Sequence, residues 1–556
     1  MRKLLLFLLA TVMAAQSPMP NISNLSCLVA DDLTNSSVTS WTSRGVPYTF
    51  TNAGTSPGIL AGVGTPGSIG YLARQYVYFP NLSALTNTSV PQVYATWGVL
   101  LTADYTNAND KHFFGQDKSQ GTSAADAEIV NCCGDSSLGI NVWYSAAGDT
   151  SISFDYPSLL RSTWNLYTAW ASFSGGNMTV AGNVNRQYIG AQALAWTSPT
   201  ITTTVVGAGF NSHSLAFWSG GGIAAQCFMT RTPTPNEVTI VEDWLDKYYF
   251  NVANWTYIWA GFNSQNGYAT PTANYNNLKM QGSNDGTNWT EIPVASNASE
   301  VRDSTVVPWQ GGYVLATTNP AQSSINVRTS KYGALYGAPT AINMCRSGVG
   351  ITGQWAPEGM VMPDGLLHIA VACILPGTNK FEIDDVSTAD ATAQTWNTPT
   401  AITWASGQQP TSAIDPFRFF ENGNWYLLYT SAGYQFGGYI CWAKSSNWNG
   451  PYTNGGTGDW TGQWGADVEG PTIIRLPNGH WRVFMDSSAG GSSEGGTTTP
   501  HYYQSDSSLT TFEGSTWTHP TIANTTPYSS PGFTAGTGYH QHGTVILNRP
   551  ANAAVK

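Results

Sequence analysis

The sequence predicts an all-β protein, an N-terminal β-sandwich followed by a five-bladed β-propeller. Three observations predict it. Short apolar runs with period-two alternation, separated by Gly turns, fill almost the whole chain. A single convincing helix divides it. Beyond that helix a Trp-rich unit recurs about every fifty residues, the spacing of propeller blades. At 556 residues there is material for more than one core, and only 10% of residues are charged, against roughly a quarter in an average globular protein. The net charge of -11 argues against a nucleic-acid partner, which wants a basic stripe.

In the first half, residues 76–79, 92–101, 140–144, 165–173 and 177–184 read as strands, with turns such as Gly175-Gly176 between them. Many strands at short spacing suggest a sandwich. The helix is expected over 235–248. Thr234 serves as its N-cap, Pro235 takes the first helical position and Glu237 completes a capping box. Val238, Val241, Leu245 and Tyr248 then share one face. The stretch 214–249 (strand, Gly turn, strand, capped helix) resembles the end of laminin-G-like, concanavalin-type jelly rolls. That likeness covers about residues 25–250 and implies a jelly-roll β-sandwich that binds glycan or serves as a rigid spacer.

After Asn251, four units lie between Ala298 and Pro520, and they end alike at 330–339, 387–399, 443–452 and 505–517. The pieces at 257–293 and 543–548 lack partners of their own. A ring resolves this if they share a fifth blade, which pairs strand edges that would otherwise stay open.

Each unit opens on a short motif. Val301-Arg302-Asp303, Ile414-Asp415-Pro416 and Glu469-Gly470-Pro471 each precede an apolar run, a Gly turn and a second apolar run. Acidic residues at the heads of successive innermost strands converge on one axis, where they can divide acid and base roles. An isolated Asp in a β protein usually caps a turn; three at matching positions favour a shared site.

With these motifs, residues 255–550 resemble the five-bladed propeller of glycoside hydrolase family 43. The matching segments are Arg302-Asp303, Trp355-Ala356-Pro357-Glu358, Ile414-Asp415-Pro416, Glu469-Gly470-Pro471, the closing His542-Gly543-Thr544-Val545 and the Gly450-Pro451-Tyr452 blade ending. The resemblance implies that Asp303 is the general base, Glu469 the general acid, and Asp415 a third carboxylate that orients Glu469 and raises its pKa. An inverting hydrolase of this kind acts on α-L-arabinofuranosyl or β-xylosyl linkages of plant-type polysaccharide. Trp355 is then a stacking platform and Glu358 a sugar-hydroxyl ligand, or both close the second blade. Phe417 is a further substrate-binding candidate. His542 matches an axial histidine that in relatives sometimes lies beside calcium, so no cofactor is required and a structural calcium ion is the one metal implied. The family usually has Pro after the first catalytic Asp, whereas this chain has Ser304, which loosens the backbone at Asp303. Rival readings are a non-catalytic glycan-binding propeller and the same fold acting on galactan or fructan.

Other acids, including Asp364, Asp384 and Asp385, read as turn residues, as does the segment 283–289. Met1-Arg2-Lys3 and the apolar run that follows read as a signal peptide over 1–15, too short to span a bilayer. The expectation is a secreted or periplasmic monomer that leaves the membrane and acts on polysaccharide or oligosaccharide. Seven cysteines are too few for a disulfide scaffold, and none has zinc-ligand spacing. Adjacent Cys132-Cys133 could staple a loop; Cys373 and Cys441 sit in apolar runs and are expected as buried thiols.

Overall fold

The computed structural model describes residues 18–33, 37–53, 56–61, 75–79, 84–101, 111–118, 128–131, 139–143, 151–152, 164–195, 201–206, 209–211, 214–216, 222–264, 278–292, 294–296, 301–319, 321–347, 352–377, 380–431, 438–466, 468–487, 502–522 and 539–548. The expected signal peptide and Cys132-Cys133 lie outside them. No helix among the described residues is long and apolar enough to cross a membrane. The chain divides into two compact units, the second beginning in the main at Phe250.

The first unit is a two-sheet sandwich. One sheet runs in the order Gln187–Ala195, Asn177–Val184, Trp164–Ser174, Ala95–Leu101, Gly222–Met229, Leu25–Val29, Arg44–Gly45. The other includes Lys111–Lys118, Ile201–Val206, Leu85–Asn87 and Thr49–Asn52. Their inner faces meet at Phe228, which stacks on Phe114 (centroids 5.8 Å apart) and meets Phe50 edge-on at 6.0 Å. Such aromatic pairs add specific geometry to the area they bury. A disulfide joins Cys27 to Cys227, directly opposite each other on paired strands.

The helix α1 (Pro235–Tyr249) begins as its capping box dictates: Glu237 N–H donates to Thr234 Oγ1 (3.3 Å) and Thr234 N–H to Glu237 Oε2 (2.8 Å). Val238, Val241, Leu245 and Tyr248 are buried, as the periodicity requires. Buried Glu242 accepts from Thr168 Oγ1 (2.7 Å) and Asn183 Nδ2 (2.8 Å), fixing α1 to two adjacent strands.

The second unit is a ring of five antiparallel blades. Blade I comprises Arg302–Trp309, Gly312–Thr318, Ile325–Ser330 and Thr340–Ile342; blade II, Gly353–Val361, Leu367–Ile374, Phe381–Ser387 and Thr400–Ala401. Blade III comprises Ile414–Glu421, Asn424–Ser431, Tyr439–Ser445 and Thr453–Gly456; blade IV, Val468–Arg475, Trp481–Ser487, Tyr502–Asp506 and Thr521–Ile522. Blade V takes its innermost strand, Tyr539–Leu547, from late in the chain and the rest from Tyr257–Ser264, Leu278–Ser283 and Thr290–Ile292. The expected closure is therefore present: Tyr257 pairs with Leu547 and Ala260 with Thr544. Asn548 latches it, its Nδ2 donating to the carbonyls of Val252 (2.8 Å) and Trp255 (2.9 Å) while its Oδ1 accepts from Tyr313 (3.1 Å). Each innermost strand packs against the next around the ring, including Tyr539–Leu547 against Arg302–Trp309.

Apolar clusters lie between blades rather than within them. Phe417, Phe419, Trp464, Trp481 and Phe512 form part of the core joining blades III and IV. Polar contacts cross the seams as well: between blades III and IV, Trp481 Nε1 donates to Glu421 Oε1 at 2.7 Å, and Arg482, forked onto Asp506 of its own blade, reaches the Gly286 carbonyl of blade V at 2.7 Å. Buried acceptors paired in this way fix which blade meets which.

Three expectations are corrected here. Asp384 and Asp385 are not turn residues; both are buried in the third strand of blade II. Asp384 holds Arg346, and Asp385 Oδ2 lies 2.6 Å from His368 Nδ1 and its Oδ1 2.7 Å from Arg418 Nη1 across the seam to blade III. That last contact is an ion pair whose N–H groups are poorly aimed for a hydrogen bond. Cys373 is bonded to Cys345 and is not a free thiol. Cys441 is free and buried, and burial pushes its thiol pKa up. Asp364 does lie in a turn, its carboxylate meeting Leu366 N–H and His368 Nε2. The segment 283–289 is likewise a turn, Asp285 Oδ1 accepting from the N–H groups of Thr287 (2.8 Å) and Asn288 (2.7 Å).

The Asp385 seam makes a prediction. Burial alone raises this carboxyl, but Arg418 and His368 outweigh it, so it titrates below its ordinary value. A depressed folded pKa stabilises above the unfolded value of about 3.9 and loses that contribution as pH falls through the folded one. Asp385→Asn, which leaves Arg418 buried without its counter-charge, is expected to cost about 3–5 kcal/mol at pH 7. In urea unfolding the gap between parent and variant should narrow below about pH 4; a gap independent of pH would sink the assignment.

Candidate active site

The innermost strands share one irregularity. The register with the second strand slips between Arg302 and Thr305, Trp355 and Glu358, Ile414 and Phe417, and Glu469 and Thr472. Each slip is a β-bulge holding a residue with left-handed backbone: Asp303 (φ 49°), Ala356 (φ 49°), Asp415 (φ 54°) and Gly470 (φ 63°). In blade V the slip falls opposite residues 541–544, and Ser304 bridges in parallel to Gly543. Bulges cluster beside active sites because they re-aim side chains. Left-handed non-glycine residues cost of order 1–3 kcal/mol and persist where the surrounding structure over-determines them. Three non-glycine residues strained alike, two of them aspartates, mark this level of the ring as special.

The candidates fall into place on this frame. Asp303 and Asp415 occupy equivalent left-handed positions in blades I and III, 7% and 4% exposed. Glu469 is half-buried and stands one residue before the equivalent Gly470 of blade IV. Thr318 Oγ1 donates to Asp303 Oδ2 (2.8 Å) and Thr430 Oγ1 to Asp415 Oδ2 (3.0 Å), from matching places on the second strands. Asp415 Oδ2 also accepts the Gly470 N–H at 3.0 Å, so the blade III carboxylate holds the backbone that carries Glu469. In the corresponding seam between blades I and II, the Ala356 N–H donates to Thr318 Oγ1 at 3.0 Å. Ser304 is fully buried in the ring-closing bridge, and Asp303 adopts the same bulge as Asp415.

Trp355 stands at the position equivalent to Glu469, half-buried, with its ring 5.1 Å from Phe381. Glu358 is 8% exposed and its two oxygens accept from Thr305 Oγ1 (3.3 Å) and Thr544 Oγ1. Those bonds tie three innermost strands together, so Glu358 fastens the blades where they meet. Phe417 is 6% exposed and packs within the cluster joining blades III and IV. His542 lies on the innermost strand of blade V, with its side chain outside the described residues. Among the described residues, Cys345, Cys373 and Asp384 are the one group whose metal-binding atoms gather within 4.8 Å, and the disulfide removes both thiolates.

Two features escaped sequence reasoning. Thr318 and Thr430, the hydroxyls that fix the two aspartates, recur at matching strand ends, a signal visible only once blades are aligned. Asp486, 1% exposed, pairs directly opposite Glu469, placing a further acid beside the half-buried glutamate.

No family model and no curated protein matches this chain. Among solved structures it is similar to a thermostable family-43 glycoside hydrolase, at 12% identity and a TM-score of 0.35, over 46% of this chain and 89% of that one. It is also similar to an alpha-L-arabinofuranosidase from Lactobacillus brevis (17% identity, TM-score 0.31, 39% and 71%). The NanB sialidase from Streptococcus pneumoniae aligns over 82% of this chain and 83% of its own, at 12% identity and a TM-score of 0.35. These likenesses are too slight to bear on function, and the fold stands on the strand pairing itself.

Proposed function

We propose that the propeller unit is an inverting glycoside hydrolase of the family 43 kind, cleaving α-L-arabinofuranosyl or β-xylosyl linkages in plant-type polysaccharide. One observation carries the reading: two strained aspartates and a half-buried glutamate head equivalent innermost strands, with Asp415 bonded to the backbone beside Glu469. In this reading Asp303 takes the proton of an attacking water, Glu469 protonates the departing oxygen, and Asp415 orients Glu469. Inversion asks for one ionised and one protonated carboxyl about 6.5–9.5 Å apart, leaving room for water. Trp355 supplies an apolar face for the sugar. The chain is exported as a monomer, and its laminin-G-like sandwich holds the enzyme on glycan.

Release assays on aryl arabinofuranosides and xylosides, and on arabinoxylan, arabinan, galactan and fructan, test the activity and its sugar. Absence of release from all of them would leave a glycan-binding propeller. Glu469→Gln is expected to lower kcat about 10²–10⁴-fold where a sugar alcohol departs, and far less where an activated phenol leaves unaided. Equal losses across a leaving-group series would remove Glu469 from the acid role.

A further inference from the structure

A cavity of about 430 Å³ lies beside the heads of blades II and III, within the roughly 300–1,000 Å³ range of small-molecule sites. Trp404, Arg346, Glu382, Gln409, Phe381 and Ala413 contribute to its lining. The position is informative. Ala413 precedes Asp415 by two residues and donates its N–H to the Phe381 carbonyl at 3.1 Å, while the Phe381 ring meets that of Trp355. The wall of the cavity is thus continuous with the strand heads that carry the candidate carboxylates, yet holds none of them.

The cavity is also rigidly built. Trp404 bridges in parallel to Tyr452, with the Tyr452 N–H donating to Thr403 O (2.9 Å) and the Ala405 N–H to Tyr452 O (2.8 Å). The chain can approach this closely because residue 450 is glycine: a Cβ there would sit 2.3 Å from the Thr403 carbonyl. The half-buried Trp404 ring leans on Tyr429 at 5.6 Å.

Its chemistry selects a class of ligand. Arg346 is shared between Glu382 (2.5 Å) and Asp384 (2.8 Å), and Gln409 Nε2 donates to Glu382 Oε1 at 3.3 Å. With the cation already held by two carboxylates, an anionic ligand is disfavoured and no lone acid demands a cationic one. A tryptophan beside an amide and an acid–guanidinium pair suits a neutral polyhydroxyl ring, with C–H groups against the indole and hydroxyls bridging Gln409 and Glu382. We infer that this cavity is a distal glycan subsite that grips a sugar unit remote from the one being cleaved. The inference rests on the hydrolase reading only for the identity of the glycan.

The test separates binding from turnover. In the full chain carrying Asp303→Asn, migration is measured through native gels containing arabinoxylan, arabinan, galactan or fructan. Adding Trp404→Ala or Gln409→Ala is expected to weaken retardation about two- to tenfold in Kd, and Trp404→Tyr less than Trp404→Ala. In the otherwise native chain the same substitutions should raise KM on the polymer and leave kcat/KM on aryl glycosides unchanged. Thermal melts identify any variant that fails to fold, and the exposed Gln409 keeps one arm readable if Trp404→Ala does. Equal retardation of parent and folded variants together with an unchanged KM on the polymer overturns the subsite, as does a parent unretarded in all four gels. Trp404-dependent retardation of the Asp303→Asn chain, with no cleavage of any of the polymers by the chain that keeps Asp303, would sink the hydrolase reading and leave the subsite standing.

Discussion

Asp303→Asn is expected to cut kcat by about 10²–10⁴-fold on every substrate, activated or not. The size of the effect follows from what the substitution removes and what it keeps. Asparagine tolerates the left-handed backbone that residue 303 adopts at φ 49°, so the bulge should persist. Its amide oxygen can still accept the Thr318 hydroxyl that now bonds Asp303 Oδ2 at 2.8 Å. What goes is the ability to take a proton from water, and that step is needed whatever the leaving group. Asp303 and Glu469 should therefore differ in kind: loss at Asp303 is uniform across a leaving-group series, while loss at Glu469 shrinks as the phenol becomes more acidic. The sugar first released by the parent enzyme should have the inverted anomeric configuration, read by NMR before mutarotation. A retained product, or azide rescue of Asp303→Ala giving one, would recast Asp303 as a nucleophile. A melting temperature that falls with activity in Asp303→Asn would instead point to the strained bulge as the cause.

Much of this architecture is legible in sequence because it is written locally. The capping box of Thr234 and Glu237 needs only residues three apart, and the helix starts there. Blade strands alternate with period two, and the acids at their heads stand beside turn residues. What was not legible depends on alignment across seams. Nothing in Ala356 announces a left-handed residue; its strain follows from sharing the bulge that places Asp303 and Asp415. Asp384 and Asp385 resemble turn acids because Asp-Asp usually is one, yet His368, Arg346 and Arg418 hold them inside a strand. Glu358 is the converse case: an acid in a motif beside a tryptophan reads equally as a ligand or as part of the blade closure, and the Thr305 and Thr544 hydroxyls it accepts come from other strands, beyond any local reading. Cys345 and Cys373 are 28 residues apart, in a loop and an apolar strand, with no local sign of their pairing. The carboxylate site was readable in its acids and unreadable in the hydroxyls of Thr318 and Thr430 that aim them.

Deleting the residues from Tyr539 onward is expected to abolish the fold of the propeller unit, not merely its activity. The strand Tyr539–Leu547 is hydrogen-bonded on one edge to Tyr257–Ser264 and meets Arg302–Trp309 on the other, so its loss opens both. Val545 is fully buried in the cluster of Trp259, Trp289 and Phe484, which joins blades IV and V. Thr544 gives Glu358 one of its hydroxyls, and Asn548 bonds the Val252 and Trp255 carbonyls as well as Tyr313. Truncation leaves a buried carboxylate short of a donor and two carbonyls without their latch, each costing about 1–3 kcal/mol. It also frees a long apolar edge that templates pairing with other chains. Against a marginal stability of about 5–15 kcal/mol, those losses are enough to unfold the unit. Two milder variants grade the effect. Asn548→Ala removes the side-chain latch and keeps the strand, and Val545→Ala hollows the seam cluster by two methyl groups. Melting temperatures should fall in the order parent, single variants, truncation, with the truncated chain recovered mainly as aggregate. A soluble truncated protein with the parent's melting curve and near-ultraviolet circular dichroism would mean that blade V does not close the ring.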